Sequence, residues 1–562
     1  MRTWIRRCCS WLVVGALGLG LAQGVNAQAH KELGKMWTFE GVPLDYFDQE
    51  HGFVPDMAWL ERVRLSALKF GGGCSSSFIS PRGLVLTNHH CARDRVAQVS
   101  PADQDWLGDG FLARSLAEEP KLHGLELRQL VEMFDVTEQM NQGIQAEDDE
   151  DTVRLRLSDN RKEILARATR EAPELEPQVV SLYQGGMYAL YRYKVYDDVR
   201  LVASPHLQSA KFGGDPDNFT FPRFGLDFAM VRVWEDGAPL DSSDFYLKWR
   251  TAGATEGETV FTVGFPGDTG RLKTVAQMEY LRDEVYPSQV QRFEQMLAQM
   301  YERAAADPEQ AKAMRSRILN LENGRKAFQG YLDGLRNDRI MAAKRAAEDK
   351  LRAVIAETPE LKARFGDPWA EIEALQDELR AASDRGEQRE LQRREQLLEK
   401  LVGEAYFAVY GTDIPPDATG SLRISDGKVA GYAYNGTVAP YFTSLYGLYA
   451  RSTEFGGAAP FQVPQAWLDK EPELNLKTPF NFVCTCDIIG GNSGSPVINT
   501  RGELVGLAFD GNIEMLGNMY VYDDTVARTV AVHPSIVIEA LEVIFGAKEL
   551  VAEIEGDGPG YE

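Results

Sequence analysis

Apolar and polar positions change their spacing twice along the chain. Up to about residue 270 the apolar residues come in short β-branched or aromatic runs bounded by Gly, Pro and Asp. Examples are Gly83-Leu84-Val85-Leu86-Thr87, Phe228 to Trp234 and Val260 to Val263. Runs of this kind predict strands. A helical interlude is predicted over roughly 150–195, entered through the acidic run Glu147 to Asp151, which reads as a solvated loop without function. From 271 to 405 the spacing turns helical. Val290, Phe293, Leu297 and Met300 share one face, as do Trp369, Ile372, Leu375 and Leu379, with charges on the opposite faces. Stripes like these read as the core of a helical bundle rather than as a binding groove. Strand-like text returns over 406–548, in Gly420 to Ile424 and Leu504 to Phe509, and the acidic tail after Val551 is expected to fray. The pattern predicts an all-β body interrupted, within its second half, by a helical insertion. Its boundaries are a leader (1–27), a first β part (28–270), the helical insertion (271–405), a second β part (406–548) and a flexible tail (549–562).

Composition adds compartment and charge to this picture. The chain has 562 residues, 44% hydrophobic and 26% charged, enough for two or three domains with buried cores. A net charge of −24 argues against nucleic acid as a partner. The first 27 residues read as a secretory signal: Arg2, Arg6 and Arg7, then an apolar stretch from Trp11 to Leu21, then the small-x-small pattern Val25-Asn26-Ala27. That stretch falls short of the ~20 residues that span a bilayer, and no later segment is long and apolar enough either. The mature protein is therefore expected to be exported to the periplasm without membrane insertion, carrying a net charge of −27 once the three arginines are gone. Cys8 and Cys9 would leave with the signal. Cys74, Cys91, Cys484 and Cys486 remain, an even set that allows three pairings in an oxidising compartment. A bridge between Cys484 and Cys486, two residues apart, would be a tight loop, and their state stays open. The seven histidines show no zinc-ligand spacing, so no metal or cofactor is expected.

Three segments carry chemistry. In Gly490-Gly491-Asn492-Ser493-Gly494-Ser495-Pro496 the glycines let the backbone turn so that the amides of Gly491 and Ser493 aim at one spot. An acyl-transfer oxyanion would sit there, where each donor can be worth about 3–4 kcal/mol. Ser493 is then the candidate nucleophile and needs a base. Taken alone, the segment reads equally well as a Gly-Ser turn between strands. The second segment, Leu84 to Cys91, ends an apolar strand in Thr-x-x-His-Cys and offers His89 or His90 as the base. The third requirement, a carboxylate to hold the imidazole, is met by Asp227 at the threshold of an apolar strand. Asp215 and Asp217 compete from a Gly-Gly-Asp-Pro-Asp-Asn loop, whose plain reading is a turn. The order histidine, aspartate, serine is that of chymotrypsin, not of subtilisins or α/β-hydrolases. Resemblance to chymotrypsin-like peptidases selects His90, the histidine next to the cysteine, and implies a Cys74–Cys91 bridge that pins its loop. On this reading the fold is a mostly β double barrel, chymotrypsin-like, with an inserted α-helical domain.

Longer stretches resemble the bacterial dipeptidyl-peptidase 7 and dipeptidyl-peptidase 11 family of serine exopeptidases. They are Gly71-Gly72-Gly73-Cys74-Ser75, Thr87 to Cys91, Gly213 to Asn218, and Gly490 to Pro496 continuing into Phe509-Asp510-Gly511-Asn512. The resemblance spans nearly the whole mature chain. It implies release of dipeptides from free peptide N-termini through an acyl-enzyme, with peptides as partners and a homodimer as the assembly. It also implies an ammonium clamp of Asn218, Phe219 and Asp510, with Asn323 of the helical insertion. Phe219 departs from the family's usual tryptophan. Gly511 matches the position where the acid-specific branch carries arginine; glycine leaves no cation there, so an apolar or broad preference at the residue before the cut bond is implied, as in the dipeptidyl-peptidase 7 branch. The stretch from Asp227 to Ser493 is shorter than in the best-known members. That keeps an aminopeptidase or endopeptidase with the same triad and a more open cleft as the alternative, and a non-catalytic peptide-binding protein as a remote one.

Overall fold

The structure is a computed structural model that describes residues 32–145, 148–558 and 560–561. The expected signal segment lies outside them. The first sheet is built from β1 (Ala67–Phe70), β2 (Cys74–Phe78), β3 (Leu84–Thr87), β4 (Phe111–Leu112) and β5 (Leu127–Asp135), followed by β6 (Glu176–Leu182), β7 (Met187–Tyr196), β8 (Val199–Ser204) and β9 (Ala229–Glu235), with β10 (Ala238–Pro239) paired to β9. Its order is β4-β8-β9-β3-β2-β1-β5-β7-β6. Both faces of its centre are covered. Leu84 and Leu86 of β3 join the main core while Val85 joins a second apolar cluster on the other side. This is why the run is apolar at every position rather than alternating.

The second sheet uses β11 (Lys248–Trp249), β12 (Thr259–Gly264) and β13 (Arg423–Lys428). A separate hairpin follows, β14 (Tyr432–Tyr434) with β15 (Thr437–Ala439). The sheet is completed by β16 (Phe442–Ser444), β17 (Pro479–Cys484), β18 (Pro496–Asn499), β19 (Glu503–Gly511) and β20 (Thr529–Val532). Its order is β13-β12-β18-β19-β20-β17-β16, and β11 lies parallel to β19.

The expected chymotrypsin-like double barrel is not what forms. Both sheets are open and antiparallel in their main paths: β4 and β6 end the first, β13 and β16 end the second, and no barrel closes among the described residues. Helix, moreover, is a major component throughout the chain. It includes α1 (His89–Val99), α2 (Glu150–Glu171), α3 (Leu207–Ala210), α4 (Tyr286–Ala306), α5 (Pro308–Leu335), α6 (Asp338–Glu357), α7 (Pro368–Ala381), α8 (Arg385–Tyr410) and α9 (Lys548–Glu555). The reason is visible in β5, β6 and β7: long strands that extend the first sheet sideways instead of curling it back to its start.

Two smaller expectations also change. The interlude over 150–195 is helical only to Glu171, and its tyrosine- and valine-rich second half makes β6 and β7. Asp149, in the acidic run, caps α2 by accepting from the Thr152 amide at 2.8 Å. The segment after Val551, expected to fray, begins as the last turn of α9, which runs to Glu555. Leu550, Val551 and Ile554 of this helix are buried, and Glu553 pairs with Arg232 of β9 at 2.7 Å. Arg232 is fully buried and is also held by Glu119 at 2.9 Å.

In the helical layer, Asp307 ends α4 and caps α5, with Pro308 in its first turn. Phe293, Leu297 and Met300 of α4 pack on Ile318 and Leu321 of α5, and Leu375 and Leu379 of α7 pack on Leu391 of α8. Helix α5 presses against the turn that follows β19. A Cβ on Gly330 would lie 2.2 Å from Leu516 Cδ1, so only glycine permits that approach. This contact brings α5 over the end of the second sheet.

Candidate active site

Strand β3 delivers the chain into the start of α1, and the first turn of α1 carries His89 and His90. The Asn88 side chain donates to the Asp227 carbonyl at 2.7 Å, tying this turn to the entry of β9. The His90 amide donates to Asp227 Oδ1 at 3.0 Å, and His90 Nδ1 meets Oδ2 at 2.6 Å. Burial pushes the Asp227 carboxyl up, but the charge and hydrogen bond of His90 and the charge of His89 outweigh it, and the carboxyl falls to about 2. An ionised carboxylate only accepts, so Nδ1 carries the proton and Nε2 is left as the acceptor. His89 is fully buried, its Nε2 has no partner among the described residues, and burial lowers its pKa to about 4. The competing carboxylates are engaged elsewhere: Asp217 by Arg451 at 2.7 Å and Asp215 by Arg325 at 3.4 Å.

The Ser493 loop is shaped from both sheets. Ser75 of β2 donates its amide to the Ser493 carbonyl at 2.7 Å and its hydroxyl to the Gly491 carbonyl at 2.8 Å; its Oγ in turn accepts from the Phe265 amide. Gly494 is tied to Ala508 of β19 at 2.9 Å. Gly491 sits at φ +103, and a Cβ there would meet the Phe265 carbonyl at 2.5 Å. Among the described residues the amides of Gly491 and Ser493 have no acceptor, whereas those of Asn492, Gly494 and Ser495 do. Cys74 and Cys91 form a disulfide linking the start of β2 to the residue after His90. Among the described residues Cys74, His90 and Cys91 are the three side chains close enough to suggest a metal site, but the bridge removes both thiolates as ligands. Cys484 and Cys486 are buried free thiols.

His90, Asp227, Ser493, Asn218, Asn323 and Asp510 line one cavity of about 170 Å³, with Phe219 and Gly511 also in its wall. Ser493 and His90 share this cavity without a hydrogen bond between them, a spacing common before substrate binds. The Asn218 side chain donates to Asn323 Oδ1 of α5 at 3.1 Å, and Phe219, at φ +53, turns its amide to Asp510 Oδ2 at 3.1 Å. Asp510 is also paired with Arg223 at 2.6 Å. Sequence reasoning missed Arg223, which looks like any loop cation until β19 brings Asp510 to it. It also missed Met515. A Cβ on Gly511 would lie 2.2 Å from Met515 Sδ, and Met515 clusters with Ile488 and Leu516 to make that wall apolar.

An oriented histidine and a serine on a glycine turn with two spare amides, in one pocket with side-chain acceptors, are what hydrolysis of a peptide bond requires. The chain belongs to the peptidase S46 family, whose model matches residues 31–388 and 380–556. It is 25% identical to a dipeptidyl-peptidase 7 of Capnocytophaga gingivalis over 88% of this chain and 91% of that protein. It is 24% identical to an Asp/Glu-specific dipeptidyl-peptidase of the same organism, over 95% and 96%. Its fold is similar to that of Porphyromonas endodontalis DPP11 in complex with the dipeptide Arg-Glu, with a TM-score of 0.78 and 21% identity over 93% of this chain and 99% of that one.

Proposed function

We propose that the protein is a serine exopeptidase that releases dipeptides from the free N-termini of peptides, with an apolar or broad preference at the residue before the cut bond. The observation that carries this reading is that one cavity holds both the His90–Asp227 pair with Ser493 and the Asn218–Asn323–Asp510 acceptors. Ser493 Oγ attacks the second residue's carbonyl and gives its proton to His90 Nε2. Asp227 stabilises the imidazolium, and the Gly491 and Ser493 amides receive the oxyanion. His90 then protonates the leaving amine, and water releases the dipeptide from the acyl-enzyme. The substrate ammonium sits against Asn218, Asn323 and Asp510, since an ammonium taken from water needs charged or carbonyl acceptors. Arg223 already balances part of the Asp510 charge, so the amide oxygens share that task. The apolar wall of Ile488, Met515 and Leu516 beside Gly511 suits an apolar second residue.

The relatives named dipeptidyl-peptidase support the dipeptide unit, and α5 over the cavity supplies a wall that can end the subsites after two residues. Export to the periplasm belongs to the same reading; among the described residues no helix is long and apolar enough to cross a membrane. The test uses the chain from Gln28 onward, its Ser493→Ala variant, and fluorogenic dipeptides ending in Leu or Met with the amine free or blocked. Cleavage of the free-amine substrates alone, lost in Ser493→Ala, is expected. Cleavage of both forms would show that the clamp does not gate the reaction, and activity in Ser493→Ala would remove Ser493 from the mechanism.

A further inference from the structure

Two cations in the cavity are unused by the chemistry above. Arg93 lies one turn beyond His90 on α1 and is buried. One terminal nitrogen donates to the Asn320 side chain and the Ser316 carbonyl of α5, while Nε is buried with no acceptor among the described residues. Lys211 follows α3 and lines the same cavity. Among the described residues neither is in an ion pair. The carboxylates near enough to act on the pair are Asp227 and Glu322, with Asp94 acting on Arg93. Asp227 is hydrogen-bonded to His90, and Glu322 accepts from the Tyr301 hydroxyl at 2.6 Å, so neither makes a direct ion pair with Lys211. Arg223, the other cation facing Lys211 besides Arg93, is neutralised by Asp510. Burial, reinforced by Arg93, lowers the Lys211 pKa to about 8, so an arriving carboxylate would relieve a real cost. In a protein of net charge −24 the two side chains place positive charge in the cavity that holds the histidine.

The position in the cavity says which part of a substrate would meet these cations. The amine is held at Asn218 and Asn323 and the scissile carbonyl at Ser493, so the first residue lies between them. Successive side chains of an extended peptide point to opposite sides. The second side chain faces the wall supplied by the second sheet, with Ile488, Gly511 and Met515. The first therefore faces the wall supplied by α1 and α3. We propose that Arg93 and Lys211 form a subsite for a carboxylate on the substrate's first residue, so that peptides beginning with Glu or Asp are preferred. This inference rests on the dipeptide-releasing reading above.

The test compares Glu-Leu with Gln-Leu, a pair of equal shape that differs in charge. As fluorogenic substrates of the wild type, the Glu-first form is expected to have the higher kcat/KM by about tenfold, the scale of one hydrogen bond to a charged group. The Glu/Gln ratio should fall to about one in Arg93→Met and Lys211→Met and be largely kept in Arg93→Lys. A ratio at or below one in the wild type, or an unchanged ratio in both methionine variants, would overturn the proposal. Calorimetric titration of Ser493→Ala protein with free Glu-Leu and Gln-Leu reads the subsite without turnover. Tighter binding of Glu-Leu alongside no hydrolysis of any dipeptide would sink the peptidase mechanism and leave the subsite standing. Hydrolysis without charge preference would do the reverse.

Discussion

Asp227 has a low pKa although its burial pushes the other way. His90 makes the difference, holding the carboxyl at about 2. The sign of the pH effect follows. Between about pH 4 and 2 the unfolded chain takes up the Asp227 proton before the native state does. The stability this group supplies is therefore full above about pH 4 and lost as pH falls through about 2. Asp227→Asn should lower kcat by about 10⁴-fold, since the amide favours the wrong imidazole tautomer. Urea midpoints of variant and wild type, separate at neutral pH, should converge as pH falls from 4 to 2. Parallel midpoints across that range would mean that the pair is not coupled to folding. Gly511 shows residue-scale control of a different sort: with Met515 2.2 Å from where a Cβ would stand, the wall has no room for a longer side chain unless the methionine moves.

At the scale of elements, the histidine turn and the serine turn are both fastened to β2, one by the Cys74–Cys91 bridge and the other by Ser75. Replacing both cysteines by serine should cost about 3 kcal/mol in a denaturant titration, the usual scale for a loop of this size. A fall in kcat/KM should persist under conditions where the variant is fully folded, because the start of α1 is freed. Unchanged kcat/KM in folded variant protein would show that Asp227 alone positions His90. Strands such as β3, β9, β12 and β19 were legible because both their faces are covered, so they read as unbroken apolar runs. Sheet closure was not, because it depends on which edges meet, and nothing local to β4 or β6 records that. Helix α9 was hidden by its acidic composition, although Leu550, Val551 and Ile554 carry helical spacing. His90, Asp227 and Ser493 stood out as candidates because each lies in a motif of adjacent residues. Arg223 did not, because the partner that gives it meaning, Asp510, is 287 residues away.

Across the whole molecule, helix α9 and the residues after it close on the first sheet. Glu553 of α9 and Glu119 hold Arg232 in the middle of the first sheet, and Tyr561 donates to Glu119 at 2.9 Å. Glu553→Gln removes one of the two charges that justify burying this guanidinium and should cost about 3 kcal/mol, at the lower end for a broken buried pair because Glu119 remains. A thermal midpoint within a degree of wild type would contradict this. The division of the site between the two sheets also has a bearing on how the protein is made. On the proposed mechanism, a ribosome finishes His90 and Asp227 long before it reaches Ser493, so the growing polypeptide would have the base and lack the nucleophile. The serine turn is moreover held by β2, a strand of the other sheet. By that mechanism activity would arrive last in biosynthesis, and the order of the residues along the chain would restrain the nascent peptidase from cutting its neighbours.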